Sequence, residues 1–207
     1  MSDARPEPRT FYVERIPVQF NRALDEQEAQ GPAGRRVYDA MRAVTATIRV
    51  DVAGEGGGTF FLNIERGRMS AAAAAARRPL VTLQQDRRAF ERIAGEAGDS
   101  ALGLLGGIAG LAGEIRLTRS RVDDLAEVKG LLHFEVTGEE GFVLRSHFGA
   151  DPVPDAPDTT IRIDEAAYRD LRSGALDPQS AFMEHRIVVQ GDMQIAMQLA
   201  LAAAAGD

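Results

Sequence analysis

The sequence predicts an α+β fold, because short alternating strand patterns and amphipathic helical patterns follow one another along its 207 residues. The same order of elements occurs twice: strand, turn, strand, connection, strand, helix, apolar segment, strand and capped helix. The last helix is apolar on nearly every side. These observations favour two tandem units after an N-terminal segment, and they divide the chain into residues 1–43, 44–128 and 129–207.

Composition and charge argue against several classes of protein. The chain has no cysteine, which excludes disulfides, thiolate zinc sites and cysteine nucleophiles. Its net charge of -7 argues against nucleic-acid binding, which needs a basic surface. The longest apolar stretch, within residues 101–113, is shorter than the roughly 20 residues of a membrane span. Residues 1–10 resemble a disordered lead-in rather than a signal peptide, so we expect a cytoplasmic protein.

The first unit is predicted from local patterns in the first 95 residues. Two N-terminal helices precede a hairpin whose turn is rich in glycine. Residues 68–76 carry six consecutive alanines, which favour a helix by propensity, but their place after a hairpin favours an extended segment. Asp86 is a predicted N-cap of the helix that follows the third strand. The predicted helices are 11–29, 33–43 and 86–95, and the predicted strands are 45–53, 59–65 and 80–83.

The second unit is predicted with clearer signals at its helix ends. Asp164 and Asp177 have the position of N-caps, and Gly174 follows the last periodic residue of its helix. Gly191 and Asp192 open the final helix. The predicted strands of this unit are 131–137, 142–148, 160–163 and 186–190. The strand 114–118 belongs to the first unit, and a helix over 120–127 is shared between the two units.

The final helix provides the strongest functional signal. Only Gln194 and Gln198 are polar between Met193 and Gly206. A helix that is apolar nearly all round is expected to be buried on most sides. It is either plain core, or it faces the sheet on one side and a ligand on the other. Met193 and Met197 favour the ligand, because thioether side chains adapt to varied shapes.

Residues 101–113 are glycine-rich and almost wholly apolar. Their glycine spacing matches neither a dinucleotide-binding fingerprint nor a phosphate-binding loop. Small residues four apart favour a tightly packed internal helix. The alternative is an apolar lid over a cavity, with candidate lid residues Leu102, Leu104, Leu105, Ile108 and Leu111.

No catalytic or metal-binding constellation is recognisable. His133, His147 and His185 are scattered and are interpreted as exposed histidines. Asp151, Asp155 and Asp158 lie in a loop stiffened by prolines, without the glycine and glutamate of a calcium loop. No serine has the context of a nucleophile elbow. We therefore predict no catalytic residue, no metal and no cofactor, and favour a protein that is not an enzyme.

The C-terminal sequence has a recognisable motif. Residues 171–183 read Leu-Arg-Ser-Gly-Ala-Leu-Asp-Pro-Gln-Ser-Ala-Phe-Met, and residues 186–193 read Arg-Ile-Val-Val-Gln-Gly-Asp-Met. Over residues 131–205 this chain resembles the sterol carrier protein family of the non-specific lipid-transfer type. It departs at Glu184-His185, where the family usually has a glycine. Residues 44–128 resemble the family weakly, and lack its Leu-Asp-Pro and Gly-Asp motifs.

This resemblance implies a fold and a function. It implies, for each unit, a mixed and mostly antiparallel sheet with helices packed on one side. It also implies an apolar tunnel between sheet and helices, roofed by the C-terminal helix. Such families bind fatty acids, acyl-CoA esters, phospholipids and sterols, and some members are accessory domains of enzymes. The residues expected to contact the ligand are Phe142, Leu144, Leu171, Phe182, Met183, Ile187, Val189, Met193, Met197 and Leu201.

Three functions follow as hypotheses. The first is a carrier or accessory protein whose partner is a lipid or another apolar molecule, such as a polyketide or terpenoid. The second is an enzyme that templates cyclisation or isomerisation of an apolar substrate. The third is a structural pseudo-dimer that acts through protein contacts. Transient membrane contact and homo-oligomerisation are both compatible with the sequence.

Overall fold

The computed structural model describes residues 7–97, 116–149 and 151–204. Its strands form one eight-stranded sheet in the order β3-β2-β1-β4-β6-β5-β7-β8. The strands are β1 Ala46–Val52, β2 Gly58–Glu65, β3 Arg68–Ala72, β4 Val81–Gln85, β5 Gly130–Thr137, β6 Phe142–Phe148, β7 Thr159–Asp164 and β8 Ile187–Gly191.

The sheet contains the same three-strand motif twice. In the first half, β1 pairs with β2 antiparallel and with β4 parallel. In the second half, β5 pairs with β6 antiparallel and with β7 parallel. The structure differs from the expected one sheet per unit, because β4 and β6 also pair antiparallel, with Thr82 opposite His147. This pairing satisfies the backbone groups at the edge of each motif and joins both halves into a single sheet.

The helices contact the apolar face of this sheet, as predicted. On β1, the buried Ile48 and Val50 lie on that face, while the half-buried Arg49 and Asp51 lie on the opposite face. A π-helical turn, Thr10–Arg15, leads into the first helix. The helices are α1 Ile16–Ala29, α2 Gly31–Arg42, α3 Arg87–Ala97, α4 Arg119–Glu127, α5 Glu165–Ser173, α6 Pro178–Met183 and α7 Met193–Ala204.

The N-terminal helical segment fills the apolar face of the first half. Helical structure begins at residue 8, so the predicted disordered lead-in is wrong for residues 8–10, and residues 1–6 lie outside the described part. Phe11 and Tyr12 are buried against Phe90, with ring centroids 5.5 and 5.8 Å away. The Tyr12 hydroxyl accepts a hydrogen bond from the Gln85 side chain. Aromatic side chains of the chain itself therefore occupy this half of the core.

The helix caps predicted at Asp86, Asp164, Asp177 and Gly174 are confirmed. The Asp86 carboxylate accepts from the Ala89 amide at 2.7 Å, and Asp164 accepts from Ala167 at 2.7 Å. Asp177 accepts from the Ser180 amide at 2.9 Å. Gly174 ends α5 with φ +73°, the left-handed conformation that glycine adopts without strain.

The predicted strand over residues 114–118 is wrong in its described portion. Arg116, Leu117 and Thr118 belong to no strand, and Thr118 is the N-cap position of α4. The Arg121 guanidinium donates to the Arg116 carbonyl, which ties this segment to α4 instead of to a neighbouring strand. Its alternating pattern of apolar and polar residues therefore reflects contact with a helix.

Candidate functional site

The end of the sheet at β8 is built from α6, β8 and α7, which follow one another closely. After α6, the Arg186 amide donates to the carbonyl of the buried Ala181 at 2.8 Å, which turns the chain directly into β8. The Arg186 guanidinium donates to Asp170 of α5 at 2.7 Å. The Asp192 carboxylate then accepts from the Gln194 amide at 2.8 Å, which starts α7. Tight turns thus hold both helices beside the edge strand.

Helix α7 is apolar on two opposite sides. Ile195 and Leu199 are buried against the rest of the protein. Met193, Met197 and Leu201 recur every four residues on the other side and are 42%, 59% and 68% exposed. The prediction that this helix is buried on most sides therefore holds only for the side of Ile195 and Leu199. The helix lies over β5, β7 and β8. In the described part of the chain β8 is the last strand of the sheet, so no further strand there extends beneath the outer side of the helix.

The predicted ligand-contact residues fall into three groups. Phe142, Leu144 and Leu171 are buried in the core. Ile187 and Val189 are half-buried on the helix side of β8. The remaining predicted residues are exposed: Phe182, Met183, Met193, Met197 and Leu201. The structure thus brings the exposed group and the β8 pair to one end of the sheet, and their contact with a ligand stays a prediction.

Aromatic packing explains why the first group is buried. Tyr168 of α5 contacts Phe142 edge-on at 5.5 Å between ring centroids and lies 6.3 Å from Phe134. Such aromatic pairs are favourable beyond the area that they bury. The helix side of β5 and β6 is therefore filled here by the chain's own rings, and the apolar surface that remains open lies at α6, β8 and α7.

Comparison with known proteins decides the family. The model of the SCP-2 sterol transfer family matches residues 114–203. The sterol carrier protein domain 2 of Helicoverpa armigera is 30% identical over 39% of this chain and 74% of that chain, with a TM-score of 0.28. The chain belongs to the SCP-2 sterol transfer family. The matched region contains α4, β5 to β8 and α5 to α7, and the weak second copy expected over residues 44–128 lies almost entirely outside it.

Two further solved SCP-2 structures come from Aedes aegypti. Sterol Carrier Protein 2 Like 2, in a crystal structure, is 19% identical over 38% of this chain and 76% of that chain, with a TM-score of 0.30. The palmitated protein, solved by NMR, has the same identity and coverage, with a TM-score of 0.32. A comparison with curated proteins finds no match.

The lid predicted for the SCP-2 chain, with its four leucines and one isoleucine, lies outside the described residues.

Among residues 7–97, 116–149 and 151–204, no group of three or more His, Asp or Glu side chains is arranged to hold a metal ion. In the same residues, no helix is long and apolar enough to cross a bilayer.

Two of the three histidines differ from their predicted exposure. His147 is buried, whereas His133 is half-buried and His185 is exposed. His133 and His147 lie diagonally on the face of the sheet opposite the helices, since Leu131 pairs with His147 and His133 with Arg145. Burial lowers the pKa of His147 below its usual 6.5, against the opposing influence of nearby acidic groups.

This burial predicts a loss of stability in mild acid. Because the pKa of His147 is lower in the folded protein than in the unfolded chain, the unfolded chain takes up a proton first as the pH falls through 6.5. The free energy of unfolding should therefore decrease from pH 7.5 to pH 5.5. This histidine contributes a slope of at most about 1.4 kcal/mol per pH unit. Urea unfolding at several pH values measures the slope.

The variant His147→Gln should show a shallower decrease over the same pH range. His185→Asn, a change at the exposed histidine, is the matched control and should keep the slope of the unsubstituted protein. An unchanged slope in His147→Gln would show that His147 does not control the acid response.

The sequence interpretation missed a polar groove on the face opposite the helices. It has a volume of about 510 Å³. Asp51 accepts from the Thr59 hydroxyl at 2.7 Å and from Arg49 at 3.0 Å. Arg145 donates to the Gln84 side chain at 3.1 Å. These polar groups lie on four separate strands, β1, β2, β4 and β6, so only the sheet order reveals that they meet. The groove is lined by Asp51, Val52, Ala53, Gly58, Thr59, Gln84, Gln85, Asp86, Val143 and Arg145.

Proposed function

We propose that the chain is a carrier that binds one lipid, with an acyl chain or a sterol skeleton, beside α6, β8 and α7. A single observation supports this function. Within the described residues, every exposed large hydrophobic side chain except Val18 belongs to the segment from Phe182 to Leu201. Apolar surface that is concentrated in this way usually marks a binding site. Family membership supports the same class of ligand.

The energetics suit a lipid. Burial of an alkyl chain is worth roughly 0.8 kcal/mol per methylene group. A fully buried chain of about twelve carbons then contributes about 10 kcal/mol before the costs of association, and micromolar binding requires a net of about 8 kcal/mol. The exposed side of α7 offers two methionines, whose flexible side chains adapt to ligands of different shape.

The two sides of α7 provide the test. The variant Met193→Ala/Met197→Ala removes the exposed apolar side chains and should weaken binding of cis-parinaric acid, a fluorescent fatty acid, by about tenfold. Its free energy of unfolding without ligand should stay within about 0.5 kcal/mol of the unsubstituted protein. The fatty acid can be followed without interference, because the chain has no tryptophan.

The matched control is Ile195→Ala/Leu199→Ala on the buried side of the same helix. This pair should cost about 2–5 kcal/mol of stability per residue, as cavity-forming substitutions do. The lipid proposal fails if the methionine variant binds the fatty acid as tightly as the unsubstituted protein, or if the unsubstituted protein does not bind it.

We also propose that residues 44–128 are a degenerate second unit that binds no lipid. The repeated three-strand motif supports the duplication. The packing of Phe11 and Tyr12 against Phe90 supports the lack of a site, because these rings occupy the apolar side of the first half. Native mass spectrometry of the protein with fatty acid should accordingly show one ligand per chain.

A further inference from the structure

The two edge strands of the sheet, β3 and β8, differ in how their outer backbone groups are covered. At β3, the Asn21 side chain of α1 donates to the Met69 carbonyl at 2.9 Å and accepts from the Met69 amide at 2.8 Å. Asp25 of the same helix forms an ion pair with Arg68. Helix α1 thus covers the backbone of this edge, as proteins commonly do to prevent unwanted strand pairing.

Within the described residues, the edge at β8 has none of these protections. This strand pairs with β7 on one side and is the last strand of the sheet. Its sequence, Ile-Val-Val-Gln-Gly, contains no charged residue and no proline. Val188 is exposed on the face opposite the helices. An uncharged edge of this kind is a template for a further strand.

We propose that β8 pairs antiparallel with β8 of a second copy of this chain, which makes one continuous sheet across a symmetric dimer. The strand is complementary to itself when the pairing is centred on Val189. Ile187 then lies opposite Gly191, and Val188 lies opposite Gln190. The flanking residues, Arg186 and Asp192, also lie opposite each other and have opposite charge.

The charges of Arg186 and Asp192 favour the register centred on Val189 over its neighbours. Two-fold symmetry forms the pair of Arg186 and Asp192 twice, once at each end of the interface. A register centred on Val188 places Arg186 opposite Gln190 and loses both pairs. Arg186 already donates to Asp170, but a guanidinium has five donors and accommodates a second carboxylate. Asp192 is exposed at the end of the strand, where a partner reaches it.

The two-fold symmetry of the proposed dimer is compatible with the arrangement of helices on one face of the sheet. A two-fold axis perpendicular to the sheet keeps the helices of both copies on the same side. This inference goes beyond lipid binding, because it rests on the backbone edge and on the charges that flank it.

The mass in solution tests the dimer. Light scattering coupled to size exclusion should give twice the 22.3 kDa of one chain. Val188→Lys places a lysine on the edge, as natural edge strands often do, and should give a single chain with an unchanged circular dichroism spectrum. Val18→Lys is the matched control, because Val18 is an exposed valine on α1, far along the sheet order from β8.

Asp192→Asn tests the register separately. Its side-chain oxygen can still accept from the Gln194 amide, so α7 keeps its cap while the charge is lost. The dissociation constant of the dimer should rise by about two- to fivefold at low salt. A single chain at high protein concentration, or a dimer that survives Val188→Lys, would overturn the proposal. Loss of lipid binding in Val188→Lys is not required, so the two proposals fail independently.

Discussion

Replacing Phe90 with alanine is expected to lower the free energy of unfolding by about 3–5 kcal/mol, close to the whole stability of many domains. Phe90 is fully buried beneath the N-terminal helical segment, where its ring contacts Phe11 and Tyr12. Three rings from two segments distant in sequence share this space, and it cannot collapse around an alanine without moving both. Urea unfolding followed by circular dichroism measures the loss.

The matched control is Phe182→Ala, in which the same ring is removed from an exposed position on α6. That variant should lose less than about 1 kcal/mol of stability, because little buried surface depends on the ring. Equal losses in the two variants would show that the N-terminal segment is not part of the core.

Ending the chain after Gly191, which removes α7, is the second change with a large expected effect. The loss of Ile195 and Leu199 alone should cost at least about 4 kcal/mol. It also exposes the apolar helix side of β5, β7 and β8, which α7 lies over. We expect a much lower melting temperature, increased binding of a dye specific for exposed apolar surface, and no measurable binding of fatty acid.

A chain that ends after Ala204 keeps the whole of α7 and serves as the control. It should melt and bind fatty acid like the complete protein. A chain ending at Gly191 that still folds and binds fatty acid would rule out α7 as part of the lipid site.

The sequence was most informative where the structure depends on neighbouring residues. Asp164 and Asp177 were predicted as caps because a carboxylate before a helix accepts from an amide three residues later, and both do so. The hairpin of β5 and β6 was predicted from alternation and a glycine-containing turn, and its strand bounds are nearly those predicted. Such signals act within a few residues, so a single sequence contains them.

The contacts between distant segments were not predictable in this way. Nothing local in β4 specifies that Thr82 pairs with His147. The sequence therefore predicted two separate sheets, whereas the structure has one. The alternation in residues 116–118 suggested a strand, although alternation cannot distinguish a strand from an extended segment packed against a helix. The buried position of His147 depends on the same distant pairing.

The sequence predicted where the candidate site lies, but not which of its side chains are exposed. The composition of α7 indicated that it needs apolar neighbours, and Ile195 and Leu199 have them. Periodicity alone could not show that Met193, Met197 and Leu201 face outward, because that depends on β8 being the edge of the sheet. Whether a side chain is core or binding surface is thus decided by the strand order.

The junction between β4 and β6 has a consequence for how the protein folds. Each three-strand motif is assembled from segments that are close in the chain, but the junction brings together strands separated by α3, α4 and β5. Contacts between such distant segments require a large loss of chain entropy before they become favourable, and they slow folding. We therefore expect the junction to form after the two motifs, so that an incompletely folded chain presents two unpaired inner edges, at β4 and β6. Unpaired strand edges of this kind favour pairing with another chain, so misassembly is expected at these inner edges while the junction is unformed.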